Sequence, residues 1–95
     1  MAYLMRYEHI NGEIVYINLK KVIGYRVETC PHRISVDMED GNTYYIQGNF
    51  KCTEDMDAVI QRIIAQSHYP SNYVIEVPSV DEARMWFEET CKHRR

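Results

Sequence analysis

The residues with the most chemistry in reach are Cys30-x-His32 and Cys91-x-His93, which together offer the donor set of a two-Cys, two-His zinc site. Tetrahedral zinc needs four converging ligands, and a one-residue gap is tighter than the usual two to four. Positions 91 and 93 of a helix also point roughly 200° apart. A buried Cys91 and a solvated tail therefore account better for these residues than a metal does. Asp37, Glu39 and Asp40 form an acidic group, but Val36 stands where a calcium loop ending in Gly41 needs Asp. They read as solvated strand charges and a turn residue. Cys30 beside His32 lacks a third orienting group for nucleophilic catalysis. Cys52 precedes a helix start, where a thiol can be acidified, yet a small cap or loop residue explains it as well. The four glycines are scattered, so there is no phosphate-cradling loop. The expectation is a protein that is not an enzyme and carries no cofactor and no metal.

The elements that position these residues follow from periodicity. In Ile34–Gly48, Ile34, Val36 and Met38 alternate with Ser35, Asp37 and Glu39, and Asp40-Gly41-Asn42 separates them from Tyr44 and Ile46. This is a hairpin pattern. A two-residue loop would mix polar and apolar groups on both faces, because opposed residues share a face. A three-residue loop over 40–42 sets Met38 opposite Tyr44 and Val36 opposite Ile46, with Asn42 left-handed. It leaves Asp37, Tyr45 and Gln47 on the wet face. A first hairpin surrounds Asn11-Gly12. Turn chemistry favours a two-residue loop there, while patterning favours a three-residue loop that gathers Met5, Tyr7, Val15, Ile17 and Leu19. The second is preferred.

A strand over 22–29 places Ile23, Tyr25 and Val27 on one face and ends at Cys30-Pro31. Residues 2–48 thus predict a five-stranded antiparallel meander with one apolar face. A helix over about 53–67 covers it, with Thr53 as N-cap, acidic Glu54 and Asp55 in its first turn, and Met56, Val59, Ile60, Ile63 and Ile64 on one side. Residues 73–77 form a short strand, and Ser79 with Glu82 forms a capping box for a second helix. The fold class is α+β: one domain over 1–95, with a meander-plus-helix core over 1–68 and a β-α extension over 70–95 that adds a possible edge strand.

Ninety-five residues suffice for one core. A net charge of −3 and the absence of a basic stripe argue against nucleic acid as partner. No apolar run is long enough to span a bilayer, no secretory signal precedes the first hairpin, and three widely spaced cysteines are no disulfide framework. A cytoplasmic setting, with no membrane partner, is the expectation. The surplus is aromatic: eight tyrosines exceed what such a core needs, and tyrosine suits interfaces. Tyr16, Asp37, Tyr45, Gln47 and Phe50 are the candidate protein-binding surface, against the alternative that the C-terminal unit buries part of it.

Residues 10–65 resemble the small bacterial FlbD/SwrD flagellar-protein family. The shared pattern is Ile10-Asn11-Gly12, Asn18-Leu19-x-x-Val22, the Ile34/Val36 strand, Gly41-x-x-Tyr44-x-Ile46 and an Ile/Val-rich helix. The resemblance implies a β-meander with a helix, no catalytic residues, and action by binding other proteins. Residues 70–95 have no counterpart in it. The leading functional expectation is a small, non-catalytic protein-binding module, regulatory or inhibitory, that works by occupying a surface of another protein. Size and composition also fit a phage-encoded inhibitor of a host protein system. A second class is a small-ligand or nucleotide binder with a pocket between sheet and C-terminal helix, using Tyr73, Arg84 and Trp86. A homodimer is a further expectation, from an exposed sheet edge and tyrosine patches.

Overall fold

The computed structural model describes residues 4–9, 11–68 and 74–93, with side chains through residue 90. The order is β1 (Leu4–Glu8), β2 (Ile14–Asn18), a 3-10 turn (Leu19–Lys21), β3 (Val22–Thr29), β4 (His32–Met38), β5 (Thr43–Ile46), α1 (Thr53–His68), β6 (Val74–Glu76) and α2 (Val80–His93). The class is α+β as expected, but the strands do not form one five-stranded meander. They form two three-stranded sheets, β2-β1-β6 and β3-β4-β5.

The division falls at Asn18. Its side-chain carbonyl accepts the Lys20 N–H at 3.0 Å and caps the 3-10 turn. An Asn side chain that captures a nearby N–H competes with the strand ladder. The chain is therefore re-aimed between β2 and β3, and β3 pairs with β4 instead. The vacated side of β1 is taken by β6, which runs parallel to it through Leu4↔Val74, Met5↔Ile75 and Arg6↔Glu76. Parallel partners need a long crossover, and everything from β2 to α1 supplies it. The C-terminal extension thus completes the first sheet.

Both hairpins use the same turn. In the first, the His9 N–H donates to the Glu13 carbonyl at 2.7 Å and the Gly12 N–H to the His9 carbonyl at 2.9 Å. In the second, Met38 donates to Asn42 at 2.9 Å and Gly41 to Met38 at 3.1 Å. Each has an Asx side chain accepting the N–H two residues on: Asn11 from Glu13 at 3.0 Å, Asp40 from Asn42 at 2.9 Å. Gly12 and Gly41 take φ of 88° and 91°, the left-handed step that closes a three-residue loop.

For the first hairpin, the register joins Met5 to Ile17 and Tyr7 to Val15, so these four share one face as patterning predicts. For the second, Ile34 meets Ile46 and Val36 meets Tyr44, so the expected pairs Val36–Ile46 and Met38–Tyr44 are displaced by two positions. The left-handed residue is Gly41 and not Asn42, which moves the loop back by one residue at each end. A shift of two preserves the faces, and Ile34, Val36, Met38 and Ile46 are all buried. In β3, a bulge between Val22 and Gly24 turns Ile23 outward, 71% exposed, against the expectation that it faces the core.

One apolar cluster joins the pieces: Met5, Tyr7 and Ile17 from the first sheet, Ile34, Val36, Met38 and Ile46 from the second, Met56, Val59, Ile60 and Ile63 from α1, with Ile75 and Ala83. Helix α1 lies on β3 and β4 and packs against α2. Its start differs from the expected Thr53 cap: the Asp55 carboxylate reaches back to the Lys51 N–H at 3.0 Å. Tyr7 ties the sheets together. Its hydroxyl accepts the Gln47 N–H at 2.8 Å and donates to the Gln47 carbonyl at 3.2 Å. No helix is long and apolar enough to cross a membrane among the described residues.

Candidate functional site

An open cleft of about 1010 Å³ lies where the chain leaving β5 passes the start of α2. Gln47 to Lys51 form one wall, Val77 to Asp81 and Arg84 the other, with Tyr7, Ile46 and Asp55 also lining it. The Tyr7 hydroxyl fixes the backbone of Gln47 at the cleft's entry, since it satisfies both of that residue's main-chain groups. Ser79 fixes the other wall by accepting the Glu82 N–H at 3.1 Å, the serine half of the expected capping box. Pro78 is buried beside it. Phe50 supplies an aromatic ring that is only partly covered by the core.

The cleft carries both signs of charge, Lys51 and Arg84 against Asp55 and Asp81. The Lys51 N–H, with help from Cys52 and the charges of Arg84 and Lys51, holds the Asp55 carboxyl below its ordinary value. Glu54 is lowered by its own backbone N–H, then by Cys52 and Thr53, with a contribution from Arg84. Asp55 thus stays ionised, and its position against the backbone makes it structural. Arg84 makes no hydrogen bond or ion pair within 4 Å with any described residue. Its guanidinium, half-buried in the cleft, has donors to offer.

The expected site residues divide among four places, and one falls outside the described residues. Gln47, Phe50 and Arg84 meet at this cleft, although they were assigned to two different surfaces. Asp37 and Tyr45 lie on the outer face of β3-β4-β5, where neighbouring side chains engage both: Arg26 donates to Asp37 at 2.8 and 3.1 Å, and Arg33 sits 3.9 Å over the Tyr45 ring. Tyr16 is on the other sheet, opposite Arg6 and 53% exposed. Trp86 lies outside the cleft, facing Arg62, whose guanidinium carbon is 5.3 Å from its ring centre. Tyr73 falls outside the described residues.

Sequence reasoning set Asn49 beside Gln47 and Phe50 in the candidate patch, and it lines the cleft with them; Lys51 and the 77–81 segment were missed. Their one signal was position, next to two consecutive helix starts. Cys30 is exposed in the turn after β3, and Cys91 and His93 lie beyond the described side chains. Among the described residues no group of three or more His, Cys, Asp or Glu is placed to hold a metal ion. No family model matches the chain, and neither curated proteins nor solved structures show a significant match.

Proposed function

We propose that the chain is a small non-catalytic protein-binding module, regulatory or inhibitory, whose cleft receives a segment of a partner polypeptide. The observation that carries this reading is Arg84, half-buried in the cleft that Phe50 also lines and without an ion-pair partner among the described residues. A guanidinium sharing a cleft with an aromatic ring suits an acidic side chain or a terminal carboxylate flanked by an apolar one. The cleft is open, mixed in polarity and bipolar in charge, which suits an extended peptide better than a compact metabolite. A phage-encoded inhibitor of a host protein is one form of the same activity, and the FlbD/SwrD resemblance, resting on its quoted residues alone, points to protein binding as well.

The test compares retention of proteins from the native lysate by wild type and by a Phe50→Ala/Arg84→Glu variant whose circular dichroism is unchanged. A partner held by wild type and released by the variant is the expected result. Equal retention by both, or none by either, removes the reading. The second reading, a small anionic ligand or nucleotide, draws on Lys51 and Arg84 sharing one cleft. A thermal-shift screen decides it, because ligand at about 100 times its dissociation constant adds roughly 2.7 kcal/mol.

A further inference from the structure

Among the described residues the two sheets leave four edge strands, β2 and β6 in one and β3 and β5 in the other. Free edges invite pairing, and proteins blunt them with charge, proline, bulges or shortness. β3 carries a bulge at Ile23 and charged Arg26 and Glu28. β5 is four residues long, and the Tyr7 hydroxyl takes both backbone groups of the residue that follows it. β6 has only three residues. β2, Ile-Val-Tyr-Ile-Asn, has none of these devices.

Its hydrogen-bond phase follows from the turn. Because His9 bonds Glu13, stepping along an antiparallel ladder by two makes Tyr7–Val15 and Met5–Ile17 the pairs that exchange bonds. The N–H and C=O of Ile14 and Tyr16 then point away from β1, and no described residue takes them. Ile14 and Tyr16 are also 47% and 53% exposed.

We propose that β2 pairs antiparallel with β2 of a second copy about a two-fold axis at Tyr16, which makes one continuous six-stranded sheet. Centring on Tyr16 sets it opposite itself, Ile14 opposite Asn18, and Val15 opposite Ile17 on the core side, where half-buried Val15 gains cover. Charge selects a second copy in this direction. Glu13 precedes the strand and Lys20-Lys21 follow it, Lys21 also holding Glu39 of its own chain at 2.9 Å, so antiparallel self-pairing turns each acidic end toward the other's basic end. Parallel self-pairing would set like against like. The proposal is independent of the cleft, which lies elsewhere on the molecule.

Sedimentation of the whole chain over a concentration series tests it. Wild type is expected to move from 11.3 kDa to twice that mass as concentration rises. Tyr16→Lys and Tyr16→Glu, each facing its own like charge at the axis, are expected to stay monomeric alone and to form the dimer when mixed. A wild type that stays monomeric through the millimolar range overturns the proposal, as does a single variant that still dimerises, or folded variants that fail to pair on mixing. Amide exchange of wild type guards against misfolded variants: Ile14 and Tyr16 amides should exchange freely when dilute and become protected in the dimer. Unchanged exchange there in a proven dimer places the interface elsewhere and overturns the assignment.

Discussion

The outer faces of the two sheets are built on opposite plans. On β3-β4-β5, Arg26 grips Asp37, Glu28 takes Arg33 at 2.7 Å and the Ser35 hydroxyl, Thr43 donates to Asp37 at 3.0 Å, and Arg33 lies over Tyr45. Ser35 ends up wholly buried although it sits on the outward side. On β2-β1-β6 the described residues show one ion pair, Arg6 to Glu76 at 3.3 Å, while Ile14, Tyr16 and Val74 stay exposed. A partner docking on the first face would have to displace interactions that already satisfy its polar groups, at a desolvation cost. On the second it would cover apolar surface and meet backbone groups of β2 that no described residue takes. The difference teaches that the count of aromatic and charged residues on a face says little about its availability. What counts is whether those residues have already found one another.

The sharpest way to break the comparison is to uncouple the two sheets. Tyr7→Phe removes the hydroxyl that satisfies both backbone groups of Gln47, so it should cost about 1–3 kcal/mol, read from urea unfolding. A near-zero change would mean that water replaces the hydroxyl and that the sheets are joined by apolar packing alone. Next come the shared turns. Gly12→Ala and Gly41→Ala should each cost about 1–2 kcal/mol, because both require a left-handed residue. Unequal costs would show that the sheets do not rely equally on the same loop.

Acid should distinguish the faces most gently. Hydrogen bonds from Ser35 and Arg33 hold Glu28 below its ordinary value, and those from Arg26 and Thr43 do the same for Asp37. A carboxyl whose folded pKa is lowered takes its proton first in the unfolded chain. Its contribution is therefore complete above the ordinary carboxylate range and drains as pH falls through the folded value. Both groups are solvent-accessible, so the effect is small. Glu28→Gln should flatten the acid limb of a stability-versus-pH curve. An unchanged limb would show that these bonds on the β3-β4-β5 face contribute no pH-dependent stability.

Much of this was legible in residue order. Met56, Val59, Ile60 and Ile63 predict α1 within one residue of its end, and the first hairpin's apolar face follows from alternation. For β4 and β5 the faces were legible and the partners were not, since a slip of two leaves every side chain on the same side. Asn18 was the missed sign. It was visible as a polar residue at a strand end, but its capture of Lys20 N–H becomes decisive only once β6 is available to replace β3 beside β1. The site was split for the same reason. Gln47 and Phe50 are close in sequence, but Arg84 joins them only because α2 folds back across the chain leaving β5.

The sequence by itself determined which faces of β1, β2, β4 and β5 are apolar, where the two hairpins turn, and where α1 begins to be amphipathic, because these depend on local periodicity and backbone sterics. Only the tertiary structure decided that the strands divide into two sheets, that Asp37 and Tyr45 are occupied by their neighbours, and that no described residue pairs with the outer edge of β2. Those are outcomes of competition between distant segments for the same hydrogen-bonding groups, and local pattern carries no record of which competitor wins.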